Sequence, residues 1–296
     1  MKKIFTWRHY WAYILNLAVI RNITPARWYI TQRYYECFRN KPDFKNPVTF
    51  NEKLQWLKVY NRKPEYTMMA DKYAVREYVA KTIGKEYLIP LVGGPWKSFE
   101  RIDFNSLPDK FVLKCTHDCA SAIVCDGKKD FNISDARKKL SKSLKYNFYY
   151  YGREWPYKKI LPQIIAEKYI SDERGDELKD YKFMCFNGKV KCVFVCSERH
   201  SEDGLKVTIF NRDWRELPFE RRCPKSSSKI DQPKYLTKMI ELSERLAQKN
   251  IFIRSDFYEV NDRIYFGEIT FFPGSGFENF IPEKYDEILG SWLKLQ

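Results

Sequence analysis

The sequence holds little of what metal–thiolate or histidine chemistry needs. Three histidines stand among 296 residues, and none of the eight cysteines is spaced as CxxC. A zinc site built from Cys115, Cys119 and Cys125 with His9, His117 or His200 is therefore disfavoured. Eight cysteines are also too sparse for a disulfide scaffold in a chain this long. Cys115, Cys185, Cys192 and Cys196 lie in apolar stretches (FVLKC, FMCF, KCVFVC). They read as buried free thiols and point to a reducing cytoplasm. No apolar run reaches the roughly 18 residues of a membrane-spanning helix. Internal repeats, low-complexity tracts and Gly-rich or Pro-rich linkers are missing as well, which leaves no obvious seam between independent domains.

What is present is charge and aromatic mass. Lysine and arginine outnumber aspartate and glutamate by 53 to 38, a net charge of +15, and 17% of residues are Phe, Trp or Tyr. Such a chain folds rather than staying disordered, and 296 residues suffice for a full core. A net +6 falls within residues 1–40, where Glu36 is the one acid. The start, Met1-Lys2-Lys3 followed by WAYILNLAVI, resembles a secretion signal. Asn16 interrupts its apolar stretch, however, and no small-x-small cleavage pattern follows. Two readings stay open: a basic aromatic helix on the inner face of an anionic membrane, or a helical arm packed on the main domain.

From residue 49 the periodicity predicts an α+β fold. A helix is expected after Asn51 as cap, a second after Asp71, and a third, SDARKKLSKSLK, capped by Ser134. IPLVGGPW reads as a strand, FVLKCT and SAIVC as a hairpin with tip His117–Ala120, and LPQIIAEKYI as a buried strand. Asn187-Gly188 marks a tight hairpin turn. Residues 234–249 read as an amphipathic helix, and IFIRSDFYEV with RIYFGEITFF as a closing hairpin. The domains are expected as an arm (1–48), a first subdomain (49–160) and a second (161–296).

The closing hairpin carries the chemistry. With a three-residue loop, Asn261–Arg263, Val260 faces Ile264, Asp256 faces Glu268 and Arg254 faces Thr270. Two carboxylates, a guanidinium and a hydroxyl then share one face, a donor set suited to magnesium beside phosphates. A two-residue loop would send Glu268 to the other face, so the inference depends on register. Lys114 and Lys182, both in apolar strands, are either solvent-facing or a cationic clamp on a polyphosphate.

The ordered segments PDKFVLKCTHD, EWPYKK, IIAEKYI, DYKFMCFNGKV, IRSDFYEV, IYFGEITFFPGSGF and PEKYDEILG resemble the TupA-like group of the ATP-grasp superfamily over residues 45–296. That group is associated with teichuronopeptide and capsular polysaccharide biosynthesis, and its members are often labelled glycosyltransferases. The resemblance implies an ATP-grasp fold, with nucleotide held between two α+β subdomains beside the helical arm. It implies that Lys114 contacts the α-phosphate and that Glu167, Lys168, Tyr169 and Ile170 form the adenine hinge. Asp180 would hold the ribose and Lys182 a phosphate, with Asp256 and Glu268 as magnesium ligands. Thr270 stands at the third metal-ligand position, where Asn is commoner, and Arg254 would steady an acyl phosphate. The phosphate-covering tip here has no glycine; Ser121 is its phosphate-binding candidate.

The implied activity is ATP-dependent joining of a carboxylate to an amine through an acyl phosphate, with magnesium. A uronic acid of a glycan or its precursor is the expected acid, and an amino acid or small amine the acceptor. His117 or His200 could accept the amine's proton. Arg199, His200 and the basic loop 221–229 could meet an acidic glycan. A glycosyltransferase is the first rival, but the chain contains no D-x-D motif. A nucleic-acid binder leaves the paired carboxylates unexplained. A non-catalytic ATP-binding module remains the third.

Overall fold

The computed structural model describes residues 23–173, 177–199, 201 and 204–295. Residues 1–22, which hold His9 and the signal-like stretch, and His200 lie outside the described residues. Eight α-helices occur among the described residues: α1 (Ala26–Phe38), α2 (Phe50–Tyr60), α3 (Glu65–Ala70), α4 (Val75–Thr82), α5 (Ile133–Leu144), α6 (Tyr149–Gly152), α7 (Leu236–Ala247) and α8 (Lys284–Trp292). With two sheets beside them, the fold is α+β as expected.

The helix starts are set by side chains, though not all by those expected. Thr49 caps α2: its hydroxyl accepts the Glu52 N–H while the Glu52 carboxylate accepts the Thr49 N–H. Asn51 is the second residue of α2 and ties it to α8, its Nδ2 donating to Asp286 at 2.8 Å. Asn132, not Ser134, caps α5 by accepting the Asp135 N–H at 3.0 Å. Asp71 accepts the Tyr73 and Ala74 N–H groups in the turn that leads into α4.

The first sheet has strand order β1-β4-β2-β3, all pairs antiparallel: β1 (Leu91–Trp96), β2 (Lys110–Cys115), β3 (Ile123–Asp126) and β4 (Ile164–Lys168). One face is closed by α5, with Phe111, Leu113, Leu140 and Ile164 in a core of their own. The second sheet, also antiparallel, runs β7-β6-β5-β8-β9: β5 (Asp180–Phe186), β6 (Lys189–Ser197), β7 (Lys206–Asn211), β8 (Phe252–Val260) and β9 (Arg263–Thr270). Here α7 packs on β5, β6 and β8, burying Leu236, Met239, Ile240, Leu242, Leu246 and Ala247. Each large side chain among them contributes about 2 kcal/mol by leaving water.

The expected division at 160/161 cuts the first sheet, because β4 lies beyond it and pairs with β1 and β2. Conversely, Phe50, Leu54, Tyr66, Val75 and Val79 of α2 to α4 belong to the second sheet's core. Within α1, Tyr29, Ile30 and Tyr34 are buried, and the Arg153 guanidinium lies 4.5 Å from the Tyr29 ring centre. This part of residues 1–48 packs on the main body.

The closing hairpin corrects the expected loop. Val260 pairs with Arg263, so the turn is the two residues Asn261 and Asp262, both at positive φ (51° and 58°). Asn and Asp tolerate that region, and it matches strand twist. A two-residue turn alone would turn Glu268 away. Instead the register shifts between Ser255 and Phe257: Phe257 pairs with Phe266, but Ser255 with Ile269 and Arg254 with Thr270. Gly267 and Glu268 together oppose Asp256 as a β-bulge, and Glu268 returns to the Asp256 face.

Candidate active site

A cleft of about 480 Å³ lies between the two sheets. From β2 and β4 it receives Val112, Lys114, Glu167 and Lys168, with Tyr169 and Ile170 following. From the second sheet come Asp180, Lys182, Cys196, Val207, Arg254, Asp256, Tyr258 and Glu268. Antiparallel pairing explains the convergence. Lys182 is the direct partner of Asp256 across β5 and β8, and Asp180 of Tyr258, so their side chains stand on one face. In the first sheet Glu167 pairs with Val112, two residues from Lys114, which makes Lys114 and Glu167 diagonal neighbours.

These groups form two ionic clusters, one on each sheet. Arg254 binds Asp256 twice, Nε to Oδ1 and Nη2 to Oδ2, both at 2.7 Å, and its Nη2 also donates to Glu268 Oε1 at 2.8 Å. The Lys182 ammonium bonds Asp256 Oδ2 and lies 2.6 Å from Asp180 Oδ2; Arg199 donates to that same oxygen at 2.7 Å. Lys114 meets Glu167 at 2.6 Å, and Arg76 meets it at 3.6 Å. Lys72 donates to the Asp118 carbonyl and lies 3.9 Å from Glu268 Oε2. Six cations thus surround four carboxylates, leaving an excess positive charge that suits a polyphosphate.

Burial works to raise the Glu268 pKa, but Lys72, Arg254 and Lys182 outweigh it and hold the carboxyl at about 2. For Lys72 burial acts to lower the pKa, yet Glu268 and neighbouring acids lift it above the usual value. Both groups are charged at neutral pH. The Asp180 charge, and then burial, push the Tyr258 hydroxyl well above its usual range. Asp180 Oδ1 is buried and has no hydrogen-bond partner among the described residues, an acceptor suited to a ligand hydroxyl.

Two of the expected site residues do not line the cleft. Ser121 is buried within the hairpin tip, accepting the Cys115 N–H at 2.8 Å and donating to Asp118 Oδ1 at 2.5 Å. Its hydroxyl stitches the tip together rather than facing a phosphate. Thr270 donates to Glu268 Oε1 at 3.1 Å and so orients that carboxylate. His117 is buried too, its Nε2 within 3.1 Å of the Ser143 and Tyr146 carbonyls, which removes it as a proton acceptor in the cleft. At the hinge, the Lys168 N–H is taken by the Pro90 carbonyl, and the Glu167 carboxylate is engaged by Lys114 and Arg76.

Sequence reasoning missed Lys72, Arg76 and Cys119. Lys72 and Arg76 sit one helical turn apart beside Asp71, where both read as surface charges of a capped helix. Cys119, exposed at the tip, lines the cleft. Among the described residues no cluster of three or more His, Cys, Asp or Glu gathers as a metal site. Asp256 and Glu268 nevertheless suit magnesium: two hard carboxylates converge on one nitrogen, and among the described residues Glu268 Oε2 has only the Lys72 contact at 3.9 Å.

The family profile for TupA-like ATPgrasp matches residues 52–294. The chain belongs to the TupA-like ATP-grasp family. No curated protein matches it. Among solved structures, D-alanine–D-alanine ligase from Bacillus anthracis, complexed with ATP, is similar at 14% identity over 69% of this chain, with a TM-score of 0.40. This chain spans 55% of that ligase. The Helicobacter pylori D-alanine–D-alanine ligase is similar at 16% identity, covering 82% of this chain and 69% of its own, with a TM-score of 0.42. ATP-grasp ligase PsnB, complexed with a variant of its minimal precursor, Mg and ADP, is similar at 12% identity. That match covers 82% of this chain and 66% of PsnB, with a TM-score of 0.44. In this family member Lys114, Glu167, Asp180, Lys182, Arg254, Asp256 and Glu268 lie on strands that carry the sequence motifs, while Lys72, Arg76 and Arg199 come from outside them.

Proposed function

We propose that this protein is an ATP-dependent carboxylate–amine ligase that forms an amide through an acyl phosphate and releases ADP. The observation that carries the reading is the cleft's charge arrangement: Arg254 joins Asp256 to Glu268, Lys182 and Lys72 stand beside these carboxylates, and Lys114 comes from the other sheet. Nucleotide would lie between the sheets, its base against Glu167–Ile170 and its ribose on the open Asp180 oxygen. Lys114 and Lys182 would carry the phosphates. Asp256 and Glu268 would hold magnesium, which supplies charge neutralisation for phosphoryl transfer.

The protein's work in such a reaction is alignment and charge compensation. Release of Asp256 by Arg254 and Lys182 would free the guanidinium for the acyl centre, where negative charge develops. Lys72, reaching from the turn before α4, would hold the hairpin tip over the phosphates. Cytoplasmic ATP would supply the reaction. The acid is proposed to be a uronic acid of a surface polysaccharide or its precursor, and the acceptor an amino acid or small amine.

The test is incubation with ATP, magnesium and panels of uronic acids and amines, following phosphate release and product mass. ADP formation dependent on both an acid and an amine is expected. AMP with pyrophosphate, or turnover of a nucleotide sugar without ATP, would sink the reading. Asp256→Asn and Glu268→Gln are each expected to abolish turnover.

A further inference from the structure

The cleft extends beyond the groups assigned to the nucleotide, and the pairing of the second sheet sets its floor there. Lys182 pairs with Asp256 on β8 and with Phe194 on β6, so Phe194, Lys182 and Asp256 stand in one row on one face. The Arg221 guanidinium covers Phe194, 5.7 Å from the ring centre, and lines the cleft. At strand spacings of about 4.8 Å, that row puts Arg221 on the order of 10 Å from Asp256, with Lys182 between them. Cys196, Leu205, Val207 and Cys223 make the rest of this end uncharged, and Arg199 is turned to Asp180. Arg221 itself is held in place. Glu220 and Ile281 exchange both backbone hydrogen bonds, at 2.8 and 2.9 Å, and the Val207 N–H donates to the Pro224 carbonyl at 2.9 Å. The segment that carries Arg221 is thus pinned on both sides. Its Nη2 donates to Glu278, whose backbone is clasped by the Asn51 side chain. That bond uses one arm of the guanidinium fork, and Nε has no hydrogen-bond partner among the described residues.

We propose that Arg221 reads a second acidic group on the carboxylate substrate, which is therefore a sugar acid bearing a further phosphate or carboxylate. This rests on the ligase reading, in which the reacting carboxyl lies at Arg254 beside Asp256 and Glu268. A substrate with one acid at that point extends along the row toward Arg221, over a length comparable to one sugar ring substituted at both ends. A planar fork on a pinned segment meets an oxyanion at little ordering cost, and uncharged surroundings strengthen the pair. ATP is the poorer occupant of this end, because Glu167–Ile170, Asp180, Lys114 and Lys182 already meet its base, ribose and phosphates in that reading.

The experiment is calorimetric titration of the full chain, with magnesium and a non-hydrolysable ATP analogue present. The titrants are glucuronic acid, glucuronic acid 1-phosphate and glucaric acid. At least one of the two diacids is expected to bind about tenfold tighter than glucuronic acid, the worth of one charge-assisted pair. Which of them does so tells phosphate from carboxylate. Arg221→Lys keeps a charge for Glu278 but not the fork, and should cut the preference about fivefold while the ATP analogue still binds. Arg221→Met with Glu278→Gln strands neither partner and should abolish the preference. The readout is a ratio between acids, which a loss of stability alone does not move. Equal affinities for all three acids, binding of neither diacid, or a preference untouched by both variants would overturn the proposal. Loss of analogue binding in Arg221→Lys would overturn it too, by giving the arginine to the nucleotide. ADP release is followed on the same samples with an amine added. Turnover of glucuronic acid with no preference for a diacid would leave the ligase reading standing and remove the Arg221 subsite. A diacid preference lost in Arg221→Lys, with no ADP from any acid, would keep the subsite and remove the ligase.

Discussion

Asp256 and Glu268 stand on neighbouring strands and meet at a single nitrogen of Arg254, at 2.7 and 2.8 Å. Asp256 is buried and Glu268 half-buried; two carboxylates this close repel each other, and the guanidinium between them turns repulsion into a joint. The joint exists because of the bulge at Gly267, which brings Glu268 back to the Asp256 face after a two-residue turn. Arg254 lies two residues from Asp256 on the same strand, so strand geometry presents both fork arms to one carboxylate.

Arg254→Ala should therefore cost more than the loss of one catalytic group. Removing one partner of a buried ionic cluster leaves uncompensated charge, worth about 3–5 kcal/mol. Turnover should disappear and the unfolding midpoint should fall. Arg254→Lys should regain part of the stability but little of the rate, since an ammonium cannot serve both carboxylates in a fork. Thermal unfolding and phosphate release measured on both variants check this.

The acid limb of stability should belong partly to Glu268. Its folded pKa, about 2, lies below the usual 4.5. Its contribution is fully present above the unfolded value and is lost as pH falls from about 4.5 toward 2. Glu268→Gln removes that dependence, so the drop in unfolding free energy between pH 5 and 3 should shrink by about 2 kcal/mol. Lys72→Met should shift the same limb upward in pH, because the cation that most depresses the pKa is gone. Denaturant titrations across this range give the answer, and identical limbs in wild type and Glu268→Gln would refute it.

Much of this site was legible because its residues break the pattern of their own elements. Lys114 and Lys182 stand out in apolar strands, and Asn187-Gly188 fixes a hairpin that makes Lys182 locatable. The Arg254–Thr270 pairing was also readable, although the loop assumed for it was wrong: a shorter turn and a bulge compensate, and periodicity alone cannot register two offsetting changes. Lys72 and Arg76 were hidden for the opposite reason. They lie on a polar helix start where charge is ordinary, and only tertiary packing carries them to Glu268 and Glu167. Strand β7, KVTIFN, went unread because it sits between polar loops.

Ser121→Ala should loosen the hairpin tip. The Cys115 N–H loses its buried acceptor, which costs about 1–3 kcal/mol locally, and Asp118 loses one of its hydroxyl donors. Because the Ser121 hydroxyl lies inside the tip, the KM for ATP should rise severalfold while kcat changes little. A matched loss of kcat would instead place that hydroxyl on the reacting phosphates. Steady-state kinetics at saturating acid and amine distinguish the two.

The remaining prediction concerns Lys58, which is fully buried beneath the turn after β9. Its ammonium donates to the Gly152 and Ser275 carbonyls, each at 2.7 Å, and lies 4.6 Å from the centre of the Phe277 ring. Ser275 in turn donates its hydroxyl to the buried Glu154 carboxylate. Burial lowers the Lys58 pKa to about 7 against the pull of Glu154, and burial raises that of Glu154 against the pull of Lys58. Because the folded pKa of Lys58 is depressed, the unfolded chain binds this proton more tightly between about pH 7 and 10. Stability from this group is therefore present above the unfolded value and is lost as pH falls toward 7. Lys58→Met or Glu154→Gln alone strands the other partner and should cost about 3–5 kcal/mol. Lys58→Met with Glu154→Gln should cost clearly less than the two singles together, and it should flatten the pH dependence between 7 and 9. A double-mutant cycle by denaturant unfolding at both pH values measures this, and strict additivity would show that the two groups do not support each other.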